Sequence, residues 1–153
     1  LEAPKRKRMT HKMAQFLDTS IFFVKNFKPS WDYKILLCVD DSRATKRAVI
    51  LSTRISKQFD AEITSLTVSK TSFFGKGYRN AHVWAERYLK RVGIPFEPKL
   101  LSGNPVDVFV KEAGEDHIII MGKDKGNELI KFAFGSKPIH TAQGANCPVL
   151  MVN

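Results

Sequence analysis

Ile118-Ile119-Ile120-Met121-Gly122 and, further on, Val149-Leu150-Met151-Val152 are the stretches that decide how this chain folds. β-Branched and large apolar residues crowd together in them without polar alternation. That pattern describes strands buried on both faces, as in parallel sheets covered by helices. The first run ends at Gly122, whose missing side chain lets a backbone or a ligand come close. A lysine-bearing loop then leads to Gly135-Ser136 and on to the second run. In an open α/β sheet, the carboxyl ends of such strands are where ligands bind.

Upstream, strands and helices alternate. Lys34 to Val39 reads as a strand that runs into Asp40-Asp41-Ser42, with Ser42 predicted as the N-cap of a helix. That helix carries Ala44, Ala48, Leu51, Ile55 and Phe59 three or four residues apart. Ala61 to Val68 supplies a second strand, and Ala81, Trp84, Ala85, Tyr88, Leu89 and Val92 form one face of a second helix, stopped by Gly93 ahead of Ile94-Pro95. Phe96 to Leu101 is a third strand, placed at a sheet edge because Pro98 lacks a ladder donor. Asn104-Pro105 opens a helix that buries Val106, Phe109, Val110 and Ala113. His117 to Met121 and Val149 to Val152 complete the series. This order predicts an α/β fold, an open doubly wound and mostly parallel five-stranded sheet with helices on both faces.

Composition bounds the function. A chain of 153 residues can build one domain with a real core, and 43% hydrophobic with 26% charged residues is ordinary for a globular protein. No run reaches the ~20 apolar residues that a membrane-spanning helix needs. Cys38 and Cys147 form no CxxC pair and His11, His82, His117 and His140 stand at no metal-ligand spacing, so reduced structural cysteines and no metal are expected. Without a GxGxxG turn, a Walker lysine loop or a GxSxG elbow, no enzyme is expected either.

Charge is less ordinary. Twenty-five Lys and Arg against 15 Asp and Glu give a net +10, and half of the excess lies in the first 34 residues. The run Lys5-Arg6-Lys7-Arg8 suits membrane lipid, the membrane portion of a protein or nucleic acid, although most such runs are simply solvated. The chain begins Leu1-Glu2 rather than with methionine, which fits a fragment of a longer protein, one with a membrane segment included. Met13, Phe16, Leu17, Ile21 and Val24 predict a helix over residues 11–27. Residues 1–32 are therefore read as a basic extension and 33–153 as the folded domain. A cytoplasmic protein is expected, free or as the cytosolic part of a membrane protein.

Several of these residues together resemble the universal stress protein family. They are Val39-Asp40 ending the first strand, Ser42 opening the helix, Gly103-Asn104-Pro105, Asp116 through Gly122, Gly135-Ser136, and Ala145-Asn146-Cys147-Pro148 leading into Val149 to Val152. The likeness covers residues 33–153. It implies the sheet order 3-2-1-4-5 and homodimers paired antiparallel through residues 148–152; a monomer whose edge is covered by the N-terminal segment is the alternative. It also implies an adenine nucleotide, ATP or AMP, at the strand ends. Carried over by position, the nucleoside would meet Val39, Asp40, Asp41 and Val68. The phosphates would meet Met121, Gly122, Gly135 and Ser136, with Lys123, Gly126 and Lys137 beside them.

The chain departs from the family where a second loop glycine is due: Lys125 stands there and a glycine follows only at Gly126, while the interval from Gly122 to Gly135 is kept. A non-glycine residue disfavours the positive φ of such a turn, though Lys123, Lys125 and Lys131 could neutralise phosphate. Asp41, where many relatives have glycine, works against an anion. Structural roles remain open alongside: Asp40 as a turn residue, Gly122 as a strand end, Gly135-Ser136 as a helix start. Two functions follow, a nucleotide-binding regulatory domain, or a nucleotide-free dimerisation and interaction module such as the cytosolic regulatory domain of a membrane transport protein.

Overall fold

The computed structural model describes residues 20–30, 32–123 and 137–153. Their centre is the pair β2 (Lys34–Cys38) and β5 (His117–Gly122), parallel with Leu36 opposite Ile119 and Cys38 opposite Met121. Side chains alternate across them as strand geometry requires. Ile35, Leu37, Val39, Ile118 and Ile120 enter one core, and Leu36, Cys38, Ile119 and Met121 enter the other. Two buried faces explain why neither strand shows polar alternation.

Outward from this pair, β3 (Ile63–Ser69) and β4 (Phe96–Ser102) extend the sheet on one side and β6 (Val149–Val152) on the other, all parallel. Helices α1 (Thr45–Phe59) and α2 (Lys76–Arg91) contribute Ala48, Val49, Ala85 and Leu89 to the first core. The second core takes Phe109 and Ala113 from α3 (Pro105–Ala113), with Ile139 and Ala142 from α4 (Lys137–Gly144). β4 is an edge, as Pro98 demanded. Asn104 caps α3 by accepting from the Asp107 N–H at 3.3 Å, with Pro105 in the first turn. Gly93, at φ +75°, closes α2 while the Ile94 N–H reaches back to the Leu89 carbonyl at 3.0 Å, a turn in which a side chain would be strained. Among the described residues no helix is long and apolar enough to cross a membrane.

Three expectations are corrected. The sheet has six strands in the order β1-β6-β5-β2-β3-β4; the five parallel strands keep the expected order and β1 (Ile21–Phe23) is added at the edge. Residues 21–23 are therefore strand, not the end of a helix over 11–27, whose residues 11–19 lie outside the described ones. β1 runs antiparallel to β6, with Ile21 opposite Met151 and Phe23 opposite Val149, so a partner more than a hundred residues away overrides the local helical spacing. Ser42 does not cap α1. The helix starts at Thr45 behind Ala44, because the Ser42 N–H is drawn to Asp40 Oδ1 at 2.9 Å and a tight turn precedes the helix.

Candidate functional site

At the upper end of β2 and β5 the chain diverges. From β2 it turns into α1 on one face, while α4 starts on the other, which makes this the switch point of the sheet. Val39 and Asp40 end the β2 segment, 1% and 6% exposed, and Met121 and Gly122 end β5. A Cβ built on Gly122 would stand 2.7 Å from the Ala44 carbonyl carbon and from Ser42 Oγ, and 2.8 Å from the Thr45 nitrogen. Gly122 is thus required by the turn between β2 and α1, which lies directly against it.

Asp40 organises that turn. Its Oδ1 accepts from the Ser42 N–H, its own N–H donates to Thr45 Oγ1 at 3.2 Å, and its Oδ2 receives the Lys137 ammonium at 3.2 Å. Lys137 is the first residue of α4, so an ion pair ties the two sides of the switch point across the sheet end. Burial opposes the charge on Lys137, but the Asp40 carboxylate, with Tyr78 and Asp41, outweighs it and holds the ammonium above its ordinary pKa. The same ammonium lies 5.7 Å from the centre of the Tyr78 ring. Ser42 Oγ is buried with no hydrogen-bond partner, beside Gly122.

Beside this ion pair a cleft of ≈ 340 Å³ opens between the start of α1 and the first turns of α2. Asp40, Asp41 and Ser42 line one side, Gly77, Asn80 and Trp84 the other, with Arg43 and Lys46 at its rim. Gly77 keeps α2 close to Asp41, since a Cβ there would sit 3.1 Å from the Asp41 Cβ. The Lys46 ammonium stands 5.1 Å from the Trp84 ring, which stacks on Tyr88 at 5.2 Å. The cleft thus combines carboxylates, cations and an aromatic face, groups that recognise hydroxyls, phosphate and a planar base. A larger cleft of ≈ 410 Å³ at the opposite end of the sheet is crossed by the pairs Lys34–Glu62 and Lys99–Glu112, at 4.0 and 3.8 Å. It lies at the amino ends of the strands, away from the switch point.

Not every expected site residue meets there. Asp40, Asp41, Gly122 and Lys137 do. Val39 points into the core under α1 and α2, while Val68 and Met121 point into the core under α3 and α4, which leaves their backbone as the only route to a ligand. Lys123 is not a solvated lysine: it is 6% exposed and its N–H bonds the Val152 carbonyl at 2.6 Å. Gly126, Gly135 and Ser136 lie outside the described residues, as do Lys125 and Lys131. Sequence reasoning assigned Trp84 to the core and passed over Tyr78 and Lys46. The pair Gly75 and Gly77 ahead of α2 was the signal that backbone and side chain approach closely there.

The architecture matches known structures. A universal stress protein in complex with cAMP superposes with a TM-score of 0.64 at 20% identity, covering 79% of this chain and 97% of that one. A universal stress protein from Archaeoglobus fulgidus superposes with a TM-score of 0.73 at 17% identity over 99% of this chain and 57% of the other. A family member from Arabidopsis thaliana with AMP bound gives 0.54 at 17% identity, over 78% and 90%. No protein-family model and no curated protein matches the sequence. The fold is that of the universal stress proteins.

Proposed function

We propose that this universal stress protein-fold domain is a regulatory module that binds an adenine nucleotide, of the AMP or ATP class, at the carboxyl ends of β2 and β5. The observation that carries this reading is the buried Asp40, held at the switch point against the Lys137 ammonium with the cleft of ≈ 340 Å³ beside it. A carboxylate there suits ribose hydroxyls, and a lysine at the start of α4 suits phosphate, where the helix amides add their own positive potential. Structures of the same fold in complex with cAMP and with AMP support the ligand class. The role is binding rather than catalysis, since Asp40 is committed to the Ser42 amide and to Lys137 rather than poised as a base.

Thermal denaturation with ATP, ADP, AMP and cyclic AMP tests the reading. A bound nucleotide should stabilise the fold by about 2.7 kcal/mol at a hundredfold excess over its dissociation constant. Asp40→Asn should lose most of that gain. No shift with any of the four, and no small molecule released from purified protein in mass spectrometry, would refute it.

A second reading is favoured by the same ion pair. With both Asp40 oxygens taken, the switch point is closed by the chain itself, as befits a nucleotide-free interaction module, standing alone or attached to a membrane transport protein in the cytosol. Its anchor would be the basic run Lys5-Arg6-Lys7-Arg8. Binding to anionic vesicles and to duplex DNA across a salt series, for the natural chain and for one with these four residues changed to Gln, separates lipid from nucleic acid; equal binding by both chains removes the tail from the account.

A further inference from the structure

The outer edge of β6 is already filled by the chain itself. Pro148 and Val152 direct their carbonyls inward, to the Ile119 N–H at 3.0 Å and the Lys123 N–H at 2.6 Å. Alternation along a strand then turns the backbone groups of Val149, Met151 and Asn153 outward. Each of these has its partner in one short segment: Phe23 lies opposite Val149, Ile21 lies opposite Met151, and the Asn153 N–H donates to Ser20 Oγ at 3.0 Å. Side chains latch the segment that follows. Asn26 Nδ2 donates to the Asn146 carbonyl at 3.3 Å, Lys28 pairs with Asp116 at 2.9 Å, and the Phe27 ring lies 5.8 Å from that of Tyr33.

Two features show that this strap is a replaceable occupant rather than a founding strand. It is three residues long, with Phe22 40% and Val24 62% exposed and only Ile21 and Phe23 resting partly buried on the core. The edge beneath it, Val149-Leu150-Met151-Val152, has none of the charges, prolines or bulges that normally keep an exposed edge from pairing. Such an edge needs a cover. A two-fold axis beside β6 would bring a second β6 alongside in the antiparallel sense, with apolar side chains on both faces. β1 has that orientation and that character.

We propose that β1 holds, within one chain, the place of the β6 strand of a second copy. The domain is a monomer while Ser20 to Phe23 are seated and pairs through Val149 to Val152 when they are displaced. The site at Asp40 plays no part in this inference. Because β1 is antiparallel to β6, the chain enters it beside Asn153, at the sheet end that also holds Asp40 and Gly122. A partner that pulls on the basic residues ahead of Ser20 pulls directly on the strap.

The test uses the full chain. Sedimentation equilibrium from low to several hundred micromolar, with amide hydrogen exchange at Met151, should give the mass of one chain and a Met151 amide protected at every concentration. The double variant Ile21→Pro, Phe23→Pro removes both strap donors; its mass should double, with a dimer at least about tenfold tighter than any formed by the natural chain. A peptide of residues 18–26 added in excess should return it to one-chain mass. Asn26→Ala with Lys28→Ala, which touches the latch and no core residue, should move the same way to a smaller extent and carries the test if the prolines prevent folding. A natural chain already of two-chain mass and unaffected by these changes overturns the proposal. So does a loosened strap that leaves the mass at one chain while the Met151 amide exchanges freely.

Discussion

Gly122 shows how a single residue can be right for the fold and misread for its chemistry. Its place at the end of β5 was legible from the apolar run before it, but the sequence could not show that the turn from β2 to α1 lies 2.7 to 2.8 Å from where a Cβ would be. Gly122→Ala should therefore cost about 1–3 kcal/mol by overpacking, read as a lower urea midpoint. Two of the three atoms in the way are backbone, so Ser42→Ala should not restore it; full rescue by that second change would mean that the hydroxyl alone was in the way. Buried thiols give a second measurement at this scale. Burial pushes Cys38 well above the ordinary thiol range and Cys147 to about 11. Groups whose folded pKa is raised contribute stability below the unfolded value that is lost as pH rises through the folded one. Lys137 is raised too. All three shifts act in one direction, so the urea midpoint should hold steady from neutral pH to about 9 and decline from there to beyond about 11. Cys38→Ala with Cys147→Ala should remove the lower part of that decline, and a midpoint rising above pH 9 would contradict the assignment.

At the scale of elements, what was read correctly rests on short-range physics. Pro98 marked an edge strand because it lacks a donor, and Asn104-Pro105 marked a helix start because cap and first-turn preferences act within a few residues. What was missed depends on distant partners. Ile21-Phe22-Phe23 has the composition of a strand, yet its spacing with Met13 and Phe16 also fits a helix, and only the edge of β6 decides between them. Ser42 has the chemistry of a cap, but Asp40 two residues earlier takes its N–H. Helix α3 offers a direct check of the correct kind of inference. Asn104→Ala should lower stability by about 0.5–1 kcal/mol, the lower part of the range for losing an N-cap, because the bond to the Asp107 N–H is a long 3.3 Å. Asn104→Asp should keep most of it, and equal losses from both changes would show that the cap bond contributes little.

For the whole molecule, the order in which strands open should follow their burial and not their position along the chain. Ile119 and Ile120 are fully buried between two helical layers, while β1 lies at the margin with its middle residue 40% exposed. Local opening of β1 needs only Ile21, Phe23 and a few side-chain latches to let go, whereas opening β5 exposes both cores at once. Amide exchange should accordingly separate into two classes under increasing sub-denaturing urea. Amides of Ile21 and Phe23 should exchange with little urea dependence, as in a local opening that exposes little surface, and those of Ile119, Ile120 and Leu37 with the full dependence of global unfolding. Met151 belongs to β6 but bonds towards β1, so its amide should follow the strap, while the Leu150 amide, directed towards β5, should follow the core. This split between neighbouring residues is the sharpest part of the prediction. If Met151 and Leu150 exchange together with full urea dependence, β1 is an integral strand of the sheet and does not open separately.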